Sequence, residues 1–173
     1  MSEHISVYPG TPLKERDFAE GKVLCEWWVP RAEYAWDAGV AIGRFLRELR
    51  AGRLIARRCP QCRRVLVPPR MVCEHCFCPT SDWVYLPGTG AVKTFSICYV
   101  TWDMQPLEEP IIPAVIALDG ASPGGGIMHL LGEVSPEAVR IGLRVEPVFR
   151  PAGERTGAIT DIRYFRPIAE VNP

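Results

Sequence analysis

A mainly β protein with a small α part is what the sequence predicts, and three observations carry that prediction. Two cysteine pairs are spaced to share one metal ion, one amphipathic helix precedes them, and the second half consists of short β runs parted by Gly and Pro turns. The chain has 173 residues, room for one good domain with small appendages. Its parts follow in order: an extended aromatic-rich arm over 1–38, a helix over 39–52, a zinc ribbon over 53–81, a small barrel over 82–168 and a tail over 169–173.

The arm is rich in Pro and aromatic residues, in Tyr8-Pro9-Gly10, Pro12, Leu24-Cys25-Glu26-Trp27-Trp28-Val29-Pro30 and Tyr34-Ala35-Trp36. It shows weak helical or strand periodicity. Its rings must be covered by something, either the chain's own barrel or another protein, and Tyr and Trp are common interface anchors. Trp27, Trp28 and Trp36, with Phe45 from the next element, are therefore the candidate partner contacts. In that next element Ile42, Phe45, Leu46 and Leu49 recur at i, i+3, i+4 and i+7, one apolar helix face. Gly52 follows as a left-handed stop. Arg44, Arg47 and Arg50 begin on the opposite side.

Cys59-Pro60-Gln61-Cys62 and Cys73-Glu74-His75-Cys76 form CxxC-x10-CxxC, the pattern of a tetrathiolate site. Each CxxC bends the backbone so that two sulfurs aim at one centre, and two such turns complete a tetrahedron. Zn²⁺ suits it, with Zn–S distances of about 2.3 Å and a closed shell that holds structure instead of doing chemistry. Iron also fits four thiolates. Cys25, Cys78 and Cys98 remain; Cys78, two residues past Cys76, is the one substitute ligand, and Cys98 reads as an inert core thiol.

From Asp82 onward the pattern is all β. The expected strands are Trp83–Leu86, Ala91–Trp102, Ala114–Leu118, Ile127–Val134, Arg144–Phe149 and Ile159–Phe165, with a glycine-rich loop over Asp119–Gly126 and a helical turn over 136–140. Five or six short strands with one short helix match a five- to six-stranded closed barrel of OB type. An open sandwich is the competitor.

Composition excludes several classes. Lys+Arg and Asp+Glu each total 20, so net charge gives no pull toward nucleic acid or membrane. No window approaches the roughly 18 apolar residues needed to span a bilayer. The start, Met1-Ser2-Glu3-His4, lacks the basic and apolar stretches of a signal peptide, and the expectation is a reduced, cytoplasmic protein. No serine elbow, phosphate loop, paired-carboxylate or HExxH motif occurs. His4 lies in the terminus, His75 in a knuckle, and His129 reads as a barrel-wall residue before a base. One local departure is basic: nine arginines and one acid, Glu48, between Arg44 and Arg70.

The ordered set of motifs resembles a known family, the acyl-CoA-associated proteins with a rubredoxin-like zinc ribbon and an OB fold, long catalogued as a domain of unknown function. The matching residues are Phe45-Leu46-Arg47-Glu48-Leu49-Arg50-Ala51-Gly52-Arg53-Leu54, the two CxxC knuckles, Val67-Pro68-Pro69-Arg70, and Gly88-Thr89-Gly90 leading to Thr94-Phe95. Ile141-Gly142-Leu143-Arg144-Val145 and Tyr164-Phe165-Arg166-Pro167 close the set. The likeness covers about residues 42–168; the long arm departs from shorter members. It implies a non-catalytic subunit of a thiolase-like, CoA-dependent carbon–carbon bond enzyme. The subunit would join a hetero-oligomer such as a 2:2 complex, with acyl-CoA as the ligand of the assembly and structural Zn²⁺ on Cys59, Cys62, Cys73 and Cys76. Arg57, Arg58, Arg63, Arg64 and Arg70 flank the knuckles and would form a rim for the CoA phosphates. The reading from another class is a nucleic-acid-binding OB and zinc-ribbon module, supported by the arginine run. A stand-alone acyl-CoA-binding or thioesterase-like protein is the third.

Overall fold

The computed structural model describes residues 12–26, 31, 33 and 35–168. Residues 1–36 and 37–173 are two compact units. In the first, a five-residue helix α1 (Glu15–Ala19) breaks the expected extended arm. Its backbone is capped by Asp17, whose carboxylate accepts the Lys14 N–H at 2.9 Å.

The second unit begins with α2 (Gly39–Arg50), within a residue or two of the predicted helix. Ala41, Phe45 and Leu49 are buried, and Leu46 packs at the edge of the same core. The stop is a Schellman arrangement: Arg53 N–H donates to Glu48 O at 2.9 Å and Gly52 N–H to Leu49 O at 2.8 Å. Gly52 sits at φ 74°, a left-handed backbone that favours glycine, and the Arg155 guanidinium packs against it.

Three short antiparallel strands make the ribbon sheet, in the order β2 (Val65–Leu66), β1 (Ile55–Arg58), β3 (Trp83–Tyr85). The remaining strands are β4 (Gly90–Phe95), β5 (Cys98–Val100), β6 (Pro106–Leu118), β7 (Ile127–Leu131), β8 (Arg144–Phe149) and β9 (Ile162–Pro167). Their order is β4-β8-β9-β7-β6-β5, and β4 also pairs with β6. That extra pairing closes five strands into a barrel and leaves β5 as a hairpin extension of β6. The pairing of β7 with β9 is parallel and the others are antiparallel. At the closure, a Cβ on Gly90 would meet Ala117 O at 2.5 Å; glycine lets β4 press against β6.

Phe165, Ile116, Ile162, Val92 and Val145 fill the barrel. Phe45 and Leu49 of α2 and Ile55 and Ala56 of β1 belong to the same core. The predicted barrel is therefore present, with three corrections to its strands. The single run expected over 91–102 breaks at Ser96–Ile97 into β4 and β5. The run expected from Ala114 begins at Pro106, because prolines at 106, 110 and 113 lie in strand positions that sequence patterning reads as breakers. The last run starts at Ile162, after a 3₁₀ turn over Ile159–Asp161. That turn is tied down by Asp161, a buried carboxylate that accepts the Thr156 and Gly157 N–H groups at 2.9 and 2.8 Å.

Candidate metal centre and the surfaces beside it

The two knuckles are built alike. In the first, Arg63 N–H donates to Cys59 O at 3.1 Å and Cys59 N–H to Arg64 O at 2.8 Å. In the second, Phe77 N–H donates to Cys73 O at 2.9 Å and Cys73 N–H to Cys78 O at 3.0 Å. The residue after each second cysteine is left-handed, Arg63 at φ 62° and Phe77 at φ 52°. This turn folds each CxxC back on itself, so that both of its thiols face one point.

The sulfurs of Cys59, Cys62, Cys73 and Cys76 lie within 4.8 Å of one another, and Cys62 Sγ is 3.6 Å from Cys73 Sγ. A tetrahedron of Zn–S bonds of about 2.3 Å has edges of about 3.8 Å, so the four thiols fit the ion. Cys59 and Cys73 are fully buried, Cys76 is half-buried and Cys62 is exposed. Without a cation the group cannot ionise together. The Cys62 backbone N–H, donating to Cys59 Sγ at 3.4 Å, lowers the Cys59 thiol to about 6. Hydrogen bonding with Cys62, then burial and the charge of neighbouring sulfurs, pushes Cys76 up to about 12. A divalent ion is what lets four thiolates coexist. Such a shell of four protein ligands leaves no coordination position for a substrate.

The arginines expected to rim this centre separate into two groups. Arg57 is 7 % exposed, and its guanidinium donates to Thr80 O at 2.5 Å, Ser81 O at 3.0 Å and Met71 Sδ at 3.0 Å. It also stacks over Trp83 at 4.9 Å, as Arg44 does at 4.5 Å. Arg57 thus clasps β1 to the second knuckle from inside, a correction to its place in a ligand rim. Arg64 donates to Pro123 O at 3.1 Å and to Glu74 at 3.4 Å, and Arg70 lies 3.7 Å from Glu74. Arg63 and Arg70 are exposed and Arg58 is half-buried.

The expected interface residues separate too. Trp27 and Trp28 lie outside the described residues, and Trp36 is exposed. Phe45 is 3 % exposed and packs in the chain's own core, which removes it as a partner anchor. Cys98 is half-buried on the hairpin strand β5, not in the core as expected. His129 is a wall residue, its ring 5.9 Å from Phe165. Its Nδ1 accepts the Leu130 N–H at 2.9 Å, and burial holds it below the usual histidine range.

One surface escaped the sequence reading. Strands facing water on one side normally carry polar residues there. Here the outward side of β6 and β7 carries Ile111, Pro113, Val115, Met128 and Leu130, and Trp102 and Met104 in the β5–β6 turn are exposed as well. Met128 is 74 % and Trp102 96 % exposed. Cross-strand pairs Val115 with Met128 and Pro113 with Leu130 make the face continuous. Beside it lies an apolar hollow of about 330 Å³, lined by Pro113, Met128, His129, Leu130, Ile159 and Thr160. Residues 94–139 contain no Lys or Arg but six acids, and that stretch was the legible signal.

Comparison with known proteins places these features. A family model for the ChsH2 rubredoxin-like zinc ribbon domain matches residues 47–79, and one for the ChsH2 C-terminal OB-fold domain matches residues 83–150. A DUF35 domain-containing scaffold protein of Methanocaldococcus jannaschii is 35 % identical over 118 residues, 66 % of this chain and 82 % of that protein. Its counterpart from Methanothermobacter thermautotrophicus is 26 % identical over 117 residues, covering 66 % and 86 %. Among solved structures, a DUF35-family protein of unknown function from Sulfolobus solfataricus aligns with a TM-score of 0.55 at 25 % identity, covering 64 % of this chain and 78 % of that one. The Ltp2-ChsH2(DUF35) aldolase shares the fold, with a TM-score of 0.55 at 22 % identity over 79 % of this chain and 98 % of that one. A zinc ribbon followed by an OB-fold domain is thus the order found here, and the chain belongs to the DUF35 family.

Proposed function

We propose that this chain is the non-catalytic, zinc-stapled subunit of a thiolase-like, CoA-dependent enzyme that makes or breaks carbon–carbon bonds. The observation that carries the reading is the apolar outward face of β6 and β7. A continuous sheet face with exposed Met128 and Leu130 is the kind of apolar patch that marks a protein interaction site. The relatives point the same way: the archaeal proteins are called scaffolds, and one structural neighbour is an aldolase with a DUF35 component.

The chemistry of this chain supports a supporting role. The metal shell is closed, and the His129 ring is held by the backbone, with Nδ1 taken by the Leu130 N–H and a further hydrogen bond to Ile159. Neither offers the base that activates a nucleophile. Reacting groups therefore belong to the partner, in a hetero-oligomer such as a 2:2 complex. Among the described residues no helix is long and apolar enough to cross a membrane. Zn²⁺ on the four thiolates holds the knuckles rigid, and Arg58 and Arg63 remain as the rim available to CoA phosphates. The nucleic-acid reading loses support because Arg57 faces inward and Arg44, Arg53, Arg64 and Arg70 are each engaged by an acid.

Isolation of the tagged chain from its native host tests the reading. The expected result is a stable complex with a thiolase-sized partner, active on a CoA thioester only when both are present. Replacing Arg58 and Arg63 by Ala is expected to raise KM for that thioester about 10-fold with kcat changed less, the signature of lost uniform binding. Elution with nucleic acid, or turnover by the chain alone, contradicts the proposal.

A further inference from the structure

The second knuckle holds one thiol more than a tetrathiolate needs. Cys78 is half-buried, and its Sγ lies 3.5 Å from the Sγ of Cys59, shorter than the tetrahedral edge of about 3.8 Å. The symmetry of the knuckles explains how it gets there. Cys78 occupies the position whose carbonyl accepts the N–H of the knuckle's first cysteine; in the first knuckle that position is Arg64. The left-handed turn at Phe77 brings the chain back past the metal, so Cys76 and Cys78 approach the centre from either side of one residue. In the buried cluster around Cys59, Leu66 and Cys73, both Cys76 and Cys78 pack at the margin.

We infer that Cys78 is a reserve ligand, able to take the place of Cys76 so that the ion is held by Cys59, Cys62, Cys73 and Cys78. The exchange is a change of one thiolate for another: the Cys76–metal bond breaks, the Cys78–metal bond forms, and the Cys78 proton passes to the departing Cys76 sulfur. No redox step is involved. Both residues lie in one loop fixed by the Phe77-to-Cys73 and Cys73-to-Cys78 hydrogen bonds, so a rotamer change re-aims a thiol without moving the backbone. Metal leaves a thiolate site one bond at a time. The ligands at the margin open first, and a thiol already beside Cys59 recaptures the ion before it escapes. The reserve therefore slows metal loss.

This inference rests on the reading of the ribbon as a zinc site, and the two fail differently: a wild-type chain without zinc overturns the site, whereas the variants below overturn only the reserve. The full-length chain is prepared as wild type, Cys76→Ser, Cys78→Ser and the double variant. Zinc content, the Co²⁺ thiolate charge-transfer intensity and the rate of zinc loss to a chromogenic chelator are then measured. Cys76→Ser is expected to keep about one zinc per chain and the full four-thiolate intensity, while the double variant falls to about three quarters of it. Cys78→Ser, with all four primary ligands intact, is expected to lose zinc about 10-fold faster than wild type. A Cys76→Ser chain as poor in metal or intensity as the double variant overturns the inference, and so does a Cys78→Ser chain that releases zinc at the wild-type rate.

Discussion

In the ribbon, Cys59, Leu66 and Cys73 are the fully buried cluster, with Cys76 and Cys78 at its edge. In the barrel, Phe165, Ile116, Ile162, Val92 and Val145 fill a closed interior, and α2 and β1 join the same core. So small a cluster cannot offset the entropy of ordering two loops. The barrel shares one large apolar core with α2 and β1. The contrast assigns a cause to each region: a metal ion would fix the knuckles, and hydrophobic packing fixes the barrel together with the ribbon sheet. It also separates two kinds of surface, a basic margin around the knuckles and an apolar face on the barrel.

The largest effect that tests this contrast is metal removal. Zinc binding in small ribbon domains is coupled to folding by on the order of 10 kcal/mol. Cys62→Ser is expected to lose the metal and most soluble yield, and chelation of the wild type to expose the knuckle amides to hydrogen exchange before those of β6 and β7. Equal loss of protection in both regions would show that the ribbon and barrel are one cooperative unit. Next in size is Phe165→Ala. Removing a fully buried ring costs about 3–5 kcal/mol, and the thermal midpoint should fall while zinc content at low temperature stays at one per chain.

The smallest effect is electrostatic. Asp119 accepts hydrogen bonds from Arg144, through Nη1 at 2.9 Å and through Nη2, and from Thr89. These hold its carboxyl down at about 2. An unfolded aspartate titrates near 4. The native state therefore binds fewer protons in that window, so this contribution is present above about pH 4 and lost as pH falls toward 2. Asp119→Asn is expected to cost about 1 kcal/mol at neutral pH, because the pair is largely exposed, and nothing at pH 2. Urea midpoints at the two pH values check it.

What was legible in the sequence was local. The spacing of Cys59, Cys62, Cys73 and Cys76 names its own geometry, and the repeat of Phe45, Leu46 and Leu49 fixes α2. The barrel was legible as a count of strands, but strand ends depended on which backbone groups needed partners, so Pro106, Pro110 and Pro113 hid the start of β6. Non-local facts were not legible. Arg57 looks like any other arginine of its run until Trp83 and the Thr80 carbonyl fold against it. Met128 and Leu130 flank His129 in an apolar stretch that patterning reads as buried on both sides; only barrel closure shows that one side faces outward. The absence of Lys and Arg from 94–139 was the clue to that side.

The central claim is that the ribbon stays within the chain as a metal-held brace while the outward barrel face binds the partner enzyme. A Met128→Glu/Leu130→Glu chain tests it directly, since both side chains point away from the core. The chain and its partner are co-purified from the native host beside wild type, with zinc content and the circular dichroism spectrum measured on the same samples. The account predicts unchanged zinc and fold with the partner lost. An unchanged complex from a folded, zinc-loaded variant contradicts it.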